Sequence, residues 1–139
     1  MATYLSIGIS PAAFEADADF SNACAIYRFV TIASTNGKVK MAESGCNPVP
    51  LGVLQNSPCA AEAAEVTLLG PTILKARATA CNLTFGKHLF SGSDGVAEPI
   101  ATDTGSCVCA KWLGPTVTSG SAYGSALFLG FATCVVSGS

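Results

Sequence analysis

Residues 49–76 read VPLGVLQNSPCAAEAAEVTLLGPTILKA, and this stretch decides the fold. It divides into three short β-prone runs, 51–54, 65–69 and 72–76, cut by Pro and Gly and holding no catalytic base. A turn signal lies on each side of it. Upstream, FVTIASTNGKVKMAE (29–43) sets Asn36-Gly37 between two β-prone runs; downstream, HLFSGSDGVAEP (88–99) does the same with Asp94-Gly95. Asn-Gly and Asp-Gly supply the positive φ that tight hairpin turns need, so both segments are predicted to be hairpins. Two hairpins around such a centre predict a compact all-β domain whose product is a shape, which points to binding rather than chemistry.

Working outward, AIYRFVTIA (25–33) is the clearest strand, apolar on nearly both faces, and 38–41 returns after the Asn-Gly turn. Residues 79–85 read as strand and turn, 88–90 and 106–112 as strands, and 126–136 as an apolar closing strand. PTVTSGSAY (115–123) reads as a flexible surface loop, and AEAAE (61–65) is too short to stand as a helix. Near the N-terminus, FEADADF alternates Phe14, Ala16, Ala18 and Phe20 against Glu15, Asp17 and Asp19, the period of an extended segment with one apolar edge. The expected organisation is an N-terminal arm over residues 1–20, with that edge as a candidate partner contact, followed by a β domain over 21–139. The β domain is expected to be a single small barrel or sandwich of short antiparallel strands.

Composition narrows the function classes. Of 139 residues, 50% are apolar and only 12% charged, about half the usual charged share. A domain with so few charges must bury its apolar surface or press it against a partner. The net charge of −2, with seven scattered Lys and Arg, gives no basis for nucleic-acid binding. Lys38/Lys40 and Lys75/Arg77 each alternate along a strand and so share a solvated face. No apolar run reaches the length of a helical membrane span. MATYLSIGISPAAF has no basic n-region or signal-type apolar core, so synthesis in the cytosol is expected.

The seven cysteines are Cys24, Cys46, Cys59, Cys81, Cys107, Cys109 and Cys134. An odd count without a signal segment argues against a secreted disulfide framework. No CxxC occurs, and with His88 as the sole histidine a zinc site would have to gather distant cysteines. Most are expected to be small, reduced core residues, with Cys46 and Cys59, in loop-like sequence, the exposed thiols. His88 reads as a structural or surface histidine. Asp17 and Asp19 lack the glycine and distant Glu of a calcium loop. GPTILK (70–75) lacks the second Gly and the Gly-Lys-Ser/Thr ending of a phosphate loop. The expectation is therefore no catalytic residue, cofactor, metal or small-molecule substrate.

The order YRFVTIAS…GKVKMAESG…PVPLGVLQN…AAEVTLLGPTILKA…FGKHLFSGSDGVAEP resembles the capsid decoration (cement) proteins of tailed bacteriophages, a small all-β family long known only as a domain of unknown function. The resemblance runs over residues 27–97. It rests on the Pro-Leu-Gly-Val turn at 50–53, the Val-rich strand ending at Gly70, the run 86–89 and the Asp94-Gly95 hairpin, with an echo in 126–136. None of these motifs is catalytic, and the specificity lies in their order. The chain departs from the family in having Ala60-Ala-Glu-Ala where Ala-Gly is common, and in its cysteine content. The resemblance implies a β-tulip-like domain that binds the major capsid protein on the outside of the virion, commonly as a homotrimer, with an N-terminal arm reaching along the shell. A different β-structural virion module, such as a tail or receptor-binding domain, is the alternative.

Overall fold

The computed structural model of the chain describes residues 14–21, 25–43, 49–79, 81–100 and 106–135, the side chains of 106, 107 and 130–135 excepted. The strands are β1 (Phe14–Ala16), β2 (Phe29–Ile32), β3 (Lys38–Met41), β4 (Gly52–Leu54), β5 (Ala63–Ala64), β6 (Val66–Thr67), β7 (Gly70–Ala78), β8 (His88–Ser91), β9 (Ala97–Pro99), β10 (Ser106–Trp112) and β11 (Gly120–Val135). No helix occurs among the described residues. The protein is all-β.

The strands form two units. The first is a six-stranded sheet in the order β5-β1-β3-β2-β4-β6. Its two edge strands are separated in the chain by Glu65 alone, so the sheet must curl until its edges meet. Inside the curl lie Ala16, Phe20, Val30, Val39, Leu54, Ala64 and Val66. The second unit is a closed barrel, β10-β11-β7-β9-β8, and closure leaves no open sheet edge around it. Its core holds Leu74, Leu89, Ala110, Trp112 and Phe128, and also Phe29 and Val53 from the first sheet. Strands β2 and β4 are thus apolar on both faces for a reason. Phe29 and Val53 point to the barrel, while Val30 and Leu54 point into the curled sheet.

Both expected hairpins form. Gly37 has φ +78° and the β2–β3 pair is antiparallel; Gly95 has φ +80° and the β8–β9 pair is antiparallel. Several expectations are revised. The pairs β1–β3 and β7–β9 are parallel, and β11 runs for 16 residues, so the strands are neither all short nor all antiparallel. The run 25–33 narrows to β2 because Tyr27 takes φ +65°, which breaks the extended backbone. Ala63–Ala64 is drawn into a strand by pairing with β1.

The expected loop at 115–123 becomes strand from Gly120 onward, paired residue for residue with β7. The run is flanked by two glycines that the Trp112 indole requires; the indole is fully buried and donates from Nε1 to the Pro115 carbonyl at 2.8 Å. A Cβ on Gly124 would lie 2.7 Å from Cζ2 of that ring, and one on Gly114 also 2.7 Å from it.

The N-terminal expectation also changes. Residues 14–20 are built into the first sheet: β1 lies between β3 and β5, and Phe20 N–H donates to the Pro58 carbonyl at 2.7 Å. Ala16 is fully buried, Phe20 is buried, and Phe14 packs against the same core. Only Ala18 of the four stays exposed. The apolar edge faces inward because it is one wall of the curled sheet. Residues 1–13 lie outside the described residues.

Two substitutions test this packing. Gly124→Ala forces a methyl into the indole and is expected to cost about 1–3 kcal/mol. Phe20→Ala removes a ring from the curled sheet and is expected to cost about 3 kcal/mol or more. Ala18→Ser is expected to stay near wild type. Denaturant unfolding of the three variants measures all of this.

Candidate interaction surface

Strands alternate their side chains, so the β7–β11 pairing fixes which residues share the barrel's outer face. The register opposes Tyr123 to Lys75, Ser125 to Ile73 and Leu127 to Pro71. Lys111 of β10 lies beside Leu127, and His88 of β8 beside Lys111. Tyr123 is 50% exposed and Ile73 46%, unusual values for large apolar residues adjoining one another on one face. The Tyr123 ring takes the Lys75 ammonium 5.6 Å from its centroid and meets Tyr27 edge-on at 5.9 Å. This face is an outward apolar feature that the register assembles. Phe85, 76% exposed, sits apart at a turn before β8.

The few charges are sorted. Arg77 bridges two carboxylates, donating from Nη1 and Nη2 to Asp94 at 3.0 Å and from Nε and Nη2 to Glu98 at 2.9 and 2.6 Å. Arg28 adds a bond from Nη1 to the Asp94 carbonyl at 3.1 Å. The Asp94-Gly95 turn is thereby tied to β7 and to the approach to β2. Burial alone would raise the Asp94 carboxyl, but hydrogen bonds from Arg77 and the Val96 N–H hold it below the ordinary carboxylate value. The same contacts with Asp94 and Glu98 raise Arg77. Lys40 pairs with Glu43 at 3.1 Å.

The remaining acids among the described residues lie on the first sheet. Segments 15–20 and 58–63 run side by side through the bonds Ala16 N–H to Glu62 carbonyl and Ala61 N–H to Ala16 carbonyl, both 2.9 Å. They expose Glu15, Asp17, Asp19 and Glu62 together with Ala18, Ala61 and Ala63. Cys59 lies among them, exposed and outside any disulfide. The charges of Glu62 and, after a desolvation contribution, Asp19 raise its pKa. Cys109 is buried, and burial pushes its thiol up to about 12 against an opposing backbone hydrogen bond at Ser91. Cys81 is half-buried, and Cys46 lies outside the described residues. Among the described residues no group of three or more His, Cys, Asp or Glu is placed to hold a metal ion. His88 is exposed beside Lys111. What the outer surface offers chemically is contact: an apolar-basic face on the barrel and an acidic, small-residue edge on the sheet.

This architecture has a counterpart among solved structures. The chain is similar to the N base of head fiber gp8.5 of bacteriophage phi29, with a TM-score of 0.57, covering 86% of this chain and 93% of that one. The two are 15% identical. The likeness is one of fold. No protein-family model matches the chain and no curated protein matches it, so the resemblance to capsid decoration proteins has no family match behind it. Sequence reasoning missed the barrel's apolar face, because its residues come from a run read as strand and a run read as loop. The alternation of Ala122, Gly124 and Ala126 against Tyr123, Ser125 and Leu127 was the available signal.

Two measurements follow from the titrating groups. The stability due to Asp94 is complete above the unfolded carboxylate value and is lost as pH falls through its lowered folded value. The unfolding free energy of Asp94→Asn should accordingly be lower at neutral pH and fall less steeply than wild type below about pH 4. Because Asp94 is 42% exposed, the difference should be modest and shrink in salt. Alkylation of native protein should modify Cys59, more slowly than an ordinary exposed thiol, and spare Cys109 until denaturant is added.

Proposed function

We propose that this chain is a structural protein of a phage virion that binds the outer surface of the assembled capsid and stabilises it. The observation that carries this reading is the fold shared, over most of both chains, with a part of a phage head fiber. The decoration-protein resemblance of residues 27–97 supports the finer statement that the contact is with the major capsid protein and that the protein acts as a homotrimer, assembled after synthesis in the host cytoplasm. An exposed apolar face on a chain with few charges suits a protein partly covered by its neighbours. Ligation to the assembled state, and not to free shell subunits, stabilises the shell by mass action. Several weak contacts made at once by an oligomer add avidity. In this reading residues 1–13, which precede β1, reach along the shell. The fiber neighbour also favours a second reading, in which the domain is the base of a projecting appendage. An appendage base attaches to the shell but has no need to raise its rupture temperature.

Mixing the purified protein with undecorated capsids tests both. Co-sedimentation with a raised rupture temperature, growing with free protein concentration, is the expected result. Attachment without any thermal effect favours the appendage base. Failure to co-sediment at saturating protein removes the capsid reading. Deleting residues 1–13, which leaves β1 in place, should weaken co-sedimentation while the unfolding midpoint stays near wild type.

A further inference from the structure

We propose that the outer face of β7–β11 is a docking surface for a second copy of this chain, received on the acidic β1–β5 edge, so that copies associate head to tail. The inference deepens the capsid reading and rests on it for its biological setting, although the surfaces belong to the free protein.

The barrel face joins Pro71, Ile73, Tyr123 and Leu127 through the β7–β11 register, with Lys75 and Lys111 beside them. Among the described residues neither lysine has a carboxylate partner; Lys75 has only the Tyr123 ring. The arginines and Lys40 are already neutralised by Asp94, Glu98 and Glu43. What is left over is segregated by unit. Free ammonium groups lie on the barrel, at Lys75, Lys87 and Lys111. Among the described residues the carboxylates without a cationic partner are Glu15, Asp17, Asp19, Glu62 and Glu65, all on the first sheet, with Lys38 opposite Glu15 as a base beside them.

The two surfaces also match in relief. The barrel face projects Ile, Leu and Tyr side chains, and the acidic edge presents Ala18, Ala61 and Ala63 between its carboxylates. Large apolar groups can approach an alanine-lined backbone closely while lysines reach the flanking acids. A symmetric pairing of the barrel face with itself would set lysine against lysine. Charge therefore selects a heterologous contact, which closes into a ring when its rotation permits.

The test uses the free chain, without capsids. Light scattering after size exclusion, and sedimentation velocity over a concentration series in low salt, should show a species larger than the monomer that dissociates as salt is raised. Ile73→Asp and Lys111→Glu, both on the solvent side of the barrel, should each weaken association at least about tenfold with unchanged unfolding midpoints. Adding Glu62→Lys to Lys111→Glu should restore part of the loss, which a merely destabilising change would not do. Association should also slow alkylation of Cys59. A monomer at every concentration overturns the proposal, as does an oligomer indifferent to both substitutions. A monomer whose capsid co-sedimentation is abolished by Ile73→Asp assigns the face to the shell and overturns it too. Self-association without capsid binding leaves this inference standing and removes the capsid reading.

Discussion

Everything in this fold turns on three residues that belong to two structures at once. Tyr27 donates its N–H to the Leu54 carbonyl of the curled sheet at 2.9 Å and accepts at its own carbonyl from Lys75 of the barrel at 2.8 Å. Arg28 accepts from the Leu54 N–H at 2.9 Å and reaches Asp94 with its guanidinium. Phe29 donates to the Gly95 carbonyl at 2.8 Å and buries its ring against Phe128, with centroids 6.0 Å apart. A left-handed backbone at an aromatic residue costs on the order of 1 kcal/mol or more. At Tyr27 that cost is offset by hydrogen bonds that satisfy backbone groups of both units. Separating the units would expose Phe29 and Val53 and leave those groups unpaired.

The legible parts of this structure were the ones fixed by local chemistry. Asn36-Gly37 and Asp94-Gly95 announce their turns because few other residue pairs accept the required φ. FVTI and GVL announce buried strands because both their faces are apolar. The misread parts are those in which a distant neighbour sets the residue type. GSAY reads as a loop until Trp112 is laid against the neighbouring Gly124, and then glycine becomes the residue that fits there. FEADADF reads as a free arm because one apolar edge is compatible with any partner, and its partners are β3 and β5 of the same chain. The left-handed Tyr27 carries no signal of its own. The likeness of residues 27–97 to decoration proteins is carried by turns, which many β folds can share.

The charge economy of the chain follows from the same division. With only 12% of residues charged, each ion pair is placed where a turn or a junction would otherwise be loose. The Arg77–Asp94–Glu98 group fastens the one hairpin that reaches the first sheet, and Lys40–Glu43 sits at the end of β3. The charges left unpaired are therefore informative, since packing does not account for them. Among the described residues the unpaired acids lie on the first sheet and the unpaired lysines, Lys38 excepted, on the barrel.

The length of β11 bears on how the chain acquires its shape during synthesis. The six strands of the curled sheet are complete by Thr67, whereas β11, from Gly120 onward, is the strand that joins β7 to β10. Until the residues from Gly120 onward have been added, the first sheet can pair while β7, β8, β9 and β10 remain an open array with Leu74 and Trp112 uncovered. Barrel closure is a late, non-local event, of the kind that is slow and exposes sticky intermediates. The scarcity of charge that suits the finished surface offers little protection during that interval, so the rate at which Gly120–Phe128 zips onto Gly70–Ala78 sets how much of the newly made protein escapes aggregation.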